Sequence, residues 1–174
     1  TNIPNGATVT VSGGGGCSIT INANAGSCQL TFGAAGTTQV TAAFAGNLDL
    51  LPAQDSASVA VDTTATTLDV QITPASPFAG QAATLSISTN LAAGASVSIA
   101  GAPGCTSIVL PDTDCSTVFP AAGPVAVIAD FAGNAQFGPA SNTANATVQL
   151  NATTLDVQLA PGTPVVGQQI AVTI

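Results

Sequence analysis

Cysteine is the residue type in this chain that can take part in the widest range of reactions. Its four copies form two pairs along the sequence. Ten residues separate Cys17 from Cys28, and nine separate Cys105 from Cys115. This matched spacing predicts one disulfide in each pair, each closing a β-hairpin, and disulfides indicate an oxidising compartment and therefore secretion. Two alternatives are buried free thiols and a zinc site, although the chain has no His and no C-x-x-C spacing to supply zinc ligands.

The only charged side chains are eight aspartates. Asp112 and Asp114 share one turn and could form part of a calcium site, but such a site needs six or more oxygen ligands, and a solvated turn is the simpler interpretation. Asp69 and Asp156 are out of phase with their apolar neighbours and are predicted to be surface charges. Since no His or Lys is present to act as a general base or to activate a serine, we expect no catalytic site, cofactor or metal.

The composition also excludes several classes of partner. The net charge is −8 and there is no Lys or Arg, so neutralisation of nucleic-acid phosphates or of anionic lipid headgroups is not available. No apolar run approaches the ~20 residues of a membrane-spanning helix. Asn145-Ala-Thr and Asn151-Ala-Thr fit the N-glycosylation pattern, which arises often in a chain this rich in Asn and Thr. Glycans are therefore a candidate partner, whereas nucleic acid and a membrane span are not expected.

An internal repeat defines the strands and turns that would position the cysteines, aspartates and asparagines discussed above. The heptapeptide ATTLDVQ at 65–71 returns unchanged at 152–158, which is 87 residues later. When 28–87 is aligned with 115–174 without a gap, 27 of the 60 pairs are identical. This identity is too high for chance within one chain and indicates a tandem repeat with a period of 87 residues.

Each period reads as a series of short strands. Apolar and polar residues alternate, as in Val9 with Val11 and in Val97 with Ile99, and turn residues recur every 8–12 positions, which is typical of an all-β sandwich with about seven strands per repeat. Residues 64–150 are predicted to form one complete repeat. Residues 1–63 would be a repeat that lacks its first two strands, and 151–174 would be the first two strands of the next repeat.

Two arrangements of these incomplete parts remain open. Residues 1–63 and 151–174 together make one period, so the chain is either a window cut from a longer array or a subunit that lends strands to a neighbour head to tail. In both cases the partners are copies of the chain or adjacent repeats, and the product is a linear polymer. Because almost no linker separates the repeats, we expect a stiff rod.

Three motifs resemble the bacterial immunoglobulin-like (Big-type) tandem repeats of large secreted and surface proteins. A repeat opens with Thr-Thr-Leu-x-Val, and Pro-x-x-Gly-Gln follows at 77–81 and again at 164–168. A strand ends in Phe-Ala-Gly-Asn at 44–47 and at 131–134. The resemblance covers essentially the whole chain and implies tandem immunoglobulin-like β-sandwiches. Similar family members build stalks, adhesins and extracellular fibres.

The sequence therefore predicts a structural protein that is not an enzyme. Stacked repeats would form a disulfide-stapled, protease-resistant fibre or stalk outside a bacterial cell or on its surface, where trypsin would find no Lys or Arg to cleave after. The alternative is an adhesin or a carbohydrate-binding module that uses the loops at 45–54 and 132–142. Against it, sugar-binding platforms usually stack on Trp or Tyr, and the chain has neither.

Overall fold

A computed structural model describes all 174 residues, and it confirms the prediction of an all-β protein without helices. The chain contains thirteen strands: β1 (Thr8–Ser12), β2 (Cys17–Thr20), β3 (Gly36–Phe44), β4 (Ala53–Val61), β5 (Leu68–Thr73), β6 (Ala82–Thr89), β7 (Ser96–Ala100), β8 (Ser107–Val109), β9 (Asp114–Val118), β10 (Gly123–Phe131), β11 (Ala140–Val148), β12 (Gln158–Ala160) and β13 (Ala171–Thr173). All paired strands are antiparallel and are arranged in four sheets.

Residues 64–150, here called the central unit, form two sheets around one core. The first sheet has the order β11-β10-β7-β8 and the second has the order β5-β6-β9. Alternate residues of both sheets point inward, so that Val70 and Leu85 from one sheet share a core with Val97 and Val127 from the other. This core contains 18 buried residues, all of them inside the central unit, which makes it the main stabilising cluster of the protein.

The N-terminal sheet, β2-β1-β3-β4, has the strand order of its counterpart β8-β7-β10-β11 in the central unit. No second sheet covers it, and its buried core consists of Val9, Ile21 and Phe44 only. In the sequence, residues 28–32 alternate with Leu30 and Phe32 in phase, which predicts a further strand. This prediction is wrong, because these residues belong to no strand. The equivalent strand β9 is held by pairing with β6, and residues 1–63 contain no counterpart of β6.

Strands β12 and β13 form the C-terminal hairpin, which is a separate two-stranded sheet. Its register pairs Gln158 with Thr173 and Ala160 with Ala171. By the 87-residue period, these strands are the counterparts of β5 and β6 in the central unit. In contrast to β5 and β6, every residue from 151 to 174 is exposed to solvent.

The loop after β10 shows why the Phe-Ala-Gly-Asn motif recurs. Phe131 is buried in the core, and Gly133 has a φ of 89°, with so little space that an added Cβ would lie 3.0 Å from the Pro139 nitrogen. The Asn134 Oδ1 accepts hydrogen bonds from the backbone N–H groups of Gln136 and Phe137, both at 2.8 Å. The motif therefore encodes a side-chain-stabilised turn, and Asn47 forms the same turn in the N-terminal sheet.

Replacing Asn134 with Ala is expected to lower the free energy of unfolding of the central unit by about 1 kcal/mol, since two backbone donors lose their acceptor. Asn134→Asp is the control, because a carboxylate oxygen can accept the same two bonds. Urea unfolding of both variants measures the difference. Equal losses for Ala and Asp would show that the side chain does not act as the acceptor.

Candidate functional site

The structure does not gather the aspartates into a site. No group of three or more His, Cys, Asp or Glu side chains is close enough to hold a metal ion. Asp112 and Asp114 are both exposed, and the Asp114 carboxylate accepts a hydrogen bond from the hydroxyl of its neighbour Thr113 at 3.5 Å. Asp69 and Asp156 are also exposed, and each accepts a hydrogen bond from a glutamine two residues further along, Gln71 and Gln158 respectively.

Both predicted cysteine pairs are bonded in the structure, Cys17 to Cys28 and Cys105 to Cys115. The prediction that each bridge closes a β-hairpin is wrong. Cys105 precedes β8 in one sheet, whereas Cys115 lies in β9 of the other sheet, so this bridge ties the two layers of the central unit together. Cys17 lies in β2 and Cys28 in the unpaired segment 27–32. The two disulfides indicate an oxidising environment of the extracellular type.

The two glycosylation motifs differ in their surroundings. Asn145 is exposed in β11, which is an edge strand of its sheet. Asn151 is also exposed, and its Nδ2 donates a hydrogen bond to the Ala79 carbonyl oxygen at 2.9 Å. Attachment of a glycan at Asn151 would consume this nitrogen, whereas Asn145 has no such contact to lose. Glycosylation at either position stays a prediction.

The largest concave surface of the protein is the uncovered face of the N-terminal sheet. It forms an open groove of about 520 Å³ whose apolar floor includes Ile19, Ala42 and Phe44. Ala129, the counterpart of Ala42, is completely buried in the central unit, while Ala42 itself is half-buried. The groove is therefore an apolar surface that no second sheet covers in this structure.

The C-terminal hairpin presents the complementary feature, a row of exposed apolar side chains. Val157 is 53% exposed and Val172 is 59% exposed. Their counterparts in the central unit, Val70 and Leu85, are 4% and 0% exposed. Four further exposed apolar residues of this segment occupy repeat positions that are buried or half-buried in the central unit; they are Leu155, Leu159, Ile170 and Ile174. Val165 is also exposed, but its counterpart Phe78 is exposed as well.

A third feature is the junction between the N-terminal sheet and the central unit. The Ala35 N–H donates a hydrogen bond to the Ala135 carbonyl oxygen at 2.6 Å, and the Gln136 Nε2 donates one to the Gly33 carbonyl oxygen at 3.3 Å. At the same place, the Thr64 N–H donates to the Gln136 carbonyl oxygen at 2.8 Å. Two loops from consecutive repeats are thus joined directly at the point where the chain passes from one to the next.

The loops proposed above as a binding surface are used differently. The loop at 132–142 carries the junction contacts at Ala135 and Gln136, so part of it is already occupied by the preceding repeat. The loop at 45–54 has no such neighbour in the chain, and Leu48 at its tip is 104% exposed. By the 87-residue period, Leu48 corresponds to Ala135. The loop at 45–54 therefore occupies the same repeat position as the loop at 132–142, which already contacts the preceding repeat.

No protein-family model matches the chain, and no curated protein shows significant similarity to it. The resemblance to bacterial immunoglobulin-like repeats stays a prediction that depends on the motifs alone. The structure has no helix that is long and apolar enough to cross a membrane.

Sequence reasoning did not identify the junction loop at 33–35 or the turn-forming roles of Asn47 and Asn134. The recurrence of Gly-Asn after a buried Phe was the available signal for the turns, since Asn after Gly is typical of side-chain-stabilised turns. Nothing in the composition of Gly33-Ala34-Ala35 marks it as a contact. Its role is visible only once the two repeats are placed next to each other.

Proposed function

We propose that this chain is a structural protein of the bacterial exterior, in which immunoglobulin-like repeats stack end to end into a fibre or stalk. The repeats would carry the mechanical load, and neighbouring repeats or copies would be the partners. The observation that carries this proposal is the direct junction between consecutive repeats. Residues 33–35 and 135–136 are joined by hydrogen bonds, and only residues 62–67 connect β4 to β5.

A direct junction supports a rod because it limits the angles that two units can adopt. Flexible multi-domain chains usually separate their units with Gly-, Ser- or Pro-rich linkers. Here β4 ends at Val61 and β5 begins at Leu68, and Thr64 between them donates a hydrogen bond into the junction. The connecting segment is thus part of the contact, and the same contact repeated at every joint would give a straight or regularly coiled filament.

The chemistry of the surface supports an extracellular role. Residues 1–63 and the central unit each contain one disulfide, which restricts the unfolded chain in an oxidising environment. The chain offers no Lys or Arg to proteases that cleave at basic residues. Both properties suit a fibre that must persist outside the cell.

Electron microscopy of the native material tests this function. A nine-residue strand rises ~30 Å at 3.3 Å per residue, and with its end loops a unit is roughly 35–45 Å long. Filaments with an axial repeat of one or two such units are the expected result. Isolated globular particles would contradict the proposal, and glycan-array binding by the chain would then favour a carbohydrate-binding module.

A further inference from the structure

We propose that the central unit resists tension along the chain through a shear clamp, which is a set of hydrogen bonds between its first and last segments that a pulling force loads together. The first segment is 64–79, which contains β5, and the last segment is 136–151, which contains β11. This proposal rests on the end-to-end function proposed above, in which load passes from one unit to the next. It names the bonds of the central unit that carry this load.

The two segments run parallel to each other. Thr64 is bridged to Phe137 and Phe78 is bridged to Gln149, both in the parallel sense. Thr64 thus lies beside the beginning of the last segment, and Phe78 lies beside its end. The nine residues of β11 alone span ~30 Å between these two places. The chain therefore enters the central unit at one pole and leaves it at the opposite pole.

Three hydrogen bonds join the two segments at the entry pole. The Thr64 N–H donates to the Gln136 carbonyl oxygen at 2.8 Å, and the Gly138 N–H donates to the Thr64 carbonyl oxygen at 2.9 Å. The Thr66 hydroxyl donates to the Gly138 carbonyl oxygen, and this third bond is partly buried. Residues 64–66 are therefore fixed to 136–138 at the place where the preceding repeat is attached.

Three hydrogen bonds also join the segments at the exit pole. The Ala79 N–H donates to the Gln149 carbonyl oxygen at 2.9 Å, and the Gln149 N–H donates to the Pro77 carbonyl oxygen at 2.8 Å. The Asn151 Nδ2 donates to the Ala79 carbonyl oxygen at 2.9 Å. Each pole thus combines two backbone bonds with one bond from a side chain.

Between the poles, the two segments belong to different sheets, because β5 pairs with β6 and β11 pairs with β10. Both strands contribute to the same core, in which Val70 of β5 is buried together with Ala146 and Val148 of β11. Sliding one segment past the other would expose these apolar side chains to water. The core therefore opposes the same movement as the hydrogen bonds at the poles.

The parallel arrangement determines how tension acts on these bonds. Tension pulls residue 64 away from residue 151, so that the first segment is drawn past the last segment along their common direction. The hydrogen bonds run between the segments and are strained at the same time. In a hairpin pulled apart from its open end, by contrast, the bonds break one after another. Bonds that share a load resist a larger force than bonds that break in turn.

Single-molecule force spectroscopy of the oxidised full chain, pulled from its two ends, tests the proposal. The double variant Cys17→Ala and Cys28→Ala identifies the unfolding event of the central unit. Its one remaining bridge, from Cys105 to Cys115, spans a sequence separation of 10, so reduction should lengthen only that event, by about 35 Å. In the wild-type chain the same event should have a distance to its transition state of about 3 Å, the length of one hydrogen bond, because the bonds fail together.

Thr66→Val removes the hydroxyl donor of the entry pole and keeps the shape of the side chain. It should raise the unfolding rate at fixed force about 5–10-fold, which corresponds to the loss of one hydrogen bond. Ser98→Ala is the matched control, since the Ser98 hydroxyl donates to the Asp130 carbonyl oxygen at 3.0 Å within one sheet, between β7 and β10. This control should leave the rate under force unchanged, although urea unfolding without force should affect both variants to a similar extent.

Any of three results would overturn the proposal: a transition-state distance several times the length of one hydrogen bond, a Thr66→Val chain that unfolds under force like the wild type, or an equal acceleration by Ser98→Ala. The end-to-end function is judged separately, by microscopy of the native material. Native filaments together with a long transition-state distance would refute the clamp and leave the fibre standing. Globular native material together with a short distance would refute the fibre and leave the shear geometry standing.

Discussion

Phe119→Ala is expected to lower the free energy of unfolding of the central unit by about 3–5 kcal/mol. Phe119 directly follows β9 and is only 2% exposed, among the largest fully buried side chains of the core. Its backbone is also fixed, because its carbonyl oxygen accepts a hydrogen bond from the Gly80 N–H at 2.9 Å. Urea unfolding followed by circular dichroism measures the loss.

Phe32→Ala is the matched control, since Phe32 occupies the same repeat position in residues 1–63 and is only half-buried. This substitution should cost about 1 kcal/mol or less. Equal costs for the two variants would contradict the assignment of a complete core to 64–150 alone.

Alternation of apolar and polar residues was sufficient to predict where most strands lie. Val70 with Ile72, and Val97 with Ile99, alternate in sequence, and all four are buried in the structure. A period of two is imposed by the strand itself, so it can be read from local sequence without knowledge of the partner strand. The all-β class therefore follows from local physics.

The segment 28–32 shows where this reasoning stops. It alternates as well as any strand, yet it forms none, because a strand also needs a neighbour with free backbone groups. Its counterpart β9 pairs with β6, and residues 1–63 contain no counterpart of β6. Pairing is a long-range property, and local alternation does not report it.

The disulfide topology illustrates the same limit. A spacing of nine or ten residues is compatible both with a hairpin and with a chain that crosses from one sheet to the other. In the central unit, β8 pairs with β7 and β9 pairs with β6, so the short segment from Cys105 to Cys115 crosses between layers. The pairing of the cysteines could be predicted from their repeat positions, whereas the layers they connect could not.

Replacing both Cys105 and Cys115 with Ala is expected to lower the free energy of unfolding of the central unit by about 3 kcal/mol. The bridge spans a sequence separation of 10 residues, and the chain-entropy model gives a loss of this size for a loop of that length. For a unit of ~87 residues, each kcal/mol lowers the unfolding temperature by roughly 4–8 °C. Alanine is chosen because Cys105 is buried, and a serine hydroxyl there would add a separate desolvation cost. Differential scanning calorimetry measures the shift.

The double variant Cys17→Ala and Cys28→Ala tests whether the lower unfolding temperature is specific to the bridge in the central unit or follows from the loss of either disulfide. Its bridge closes a loop of nearly the same length, but it joins β2 to the unpaired segment 27–32, outside the core of the central unit. The main unfolding transition should therefore keep its midpoint. A wild-type chain whose midpoint is the same before and after reduction would contradict a stabilising role for either bridge.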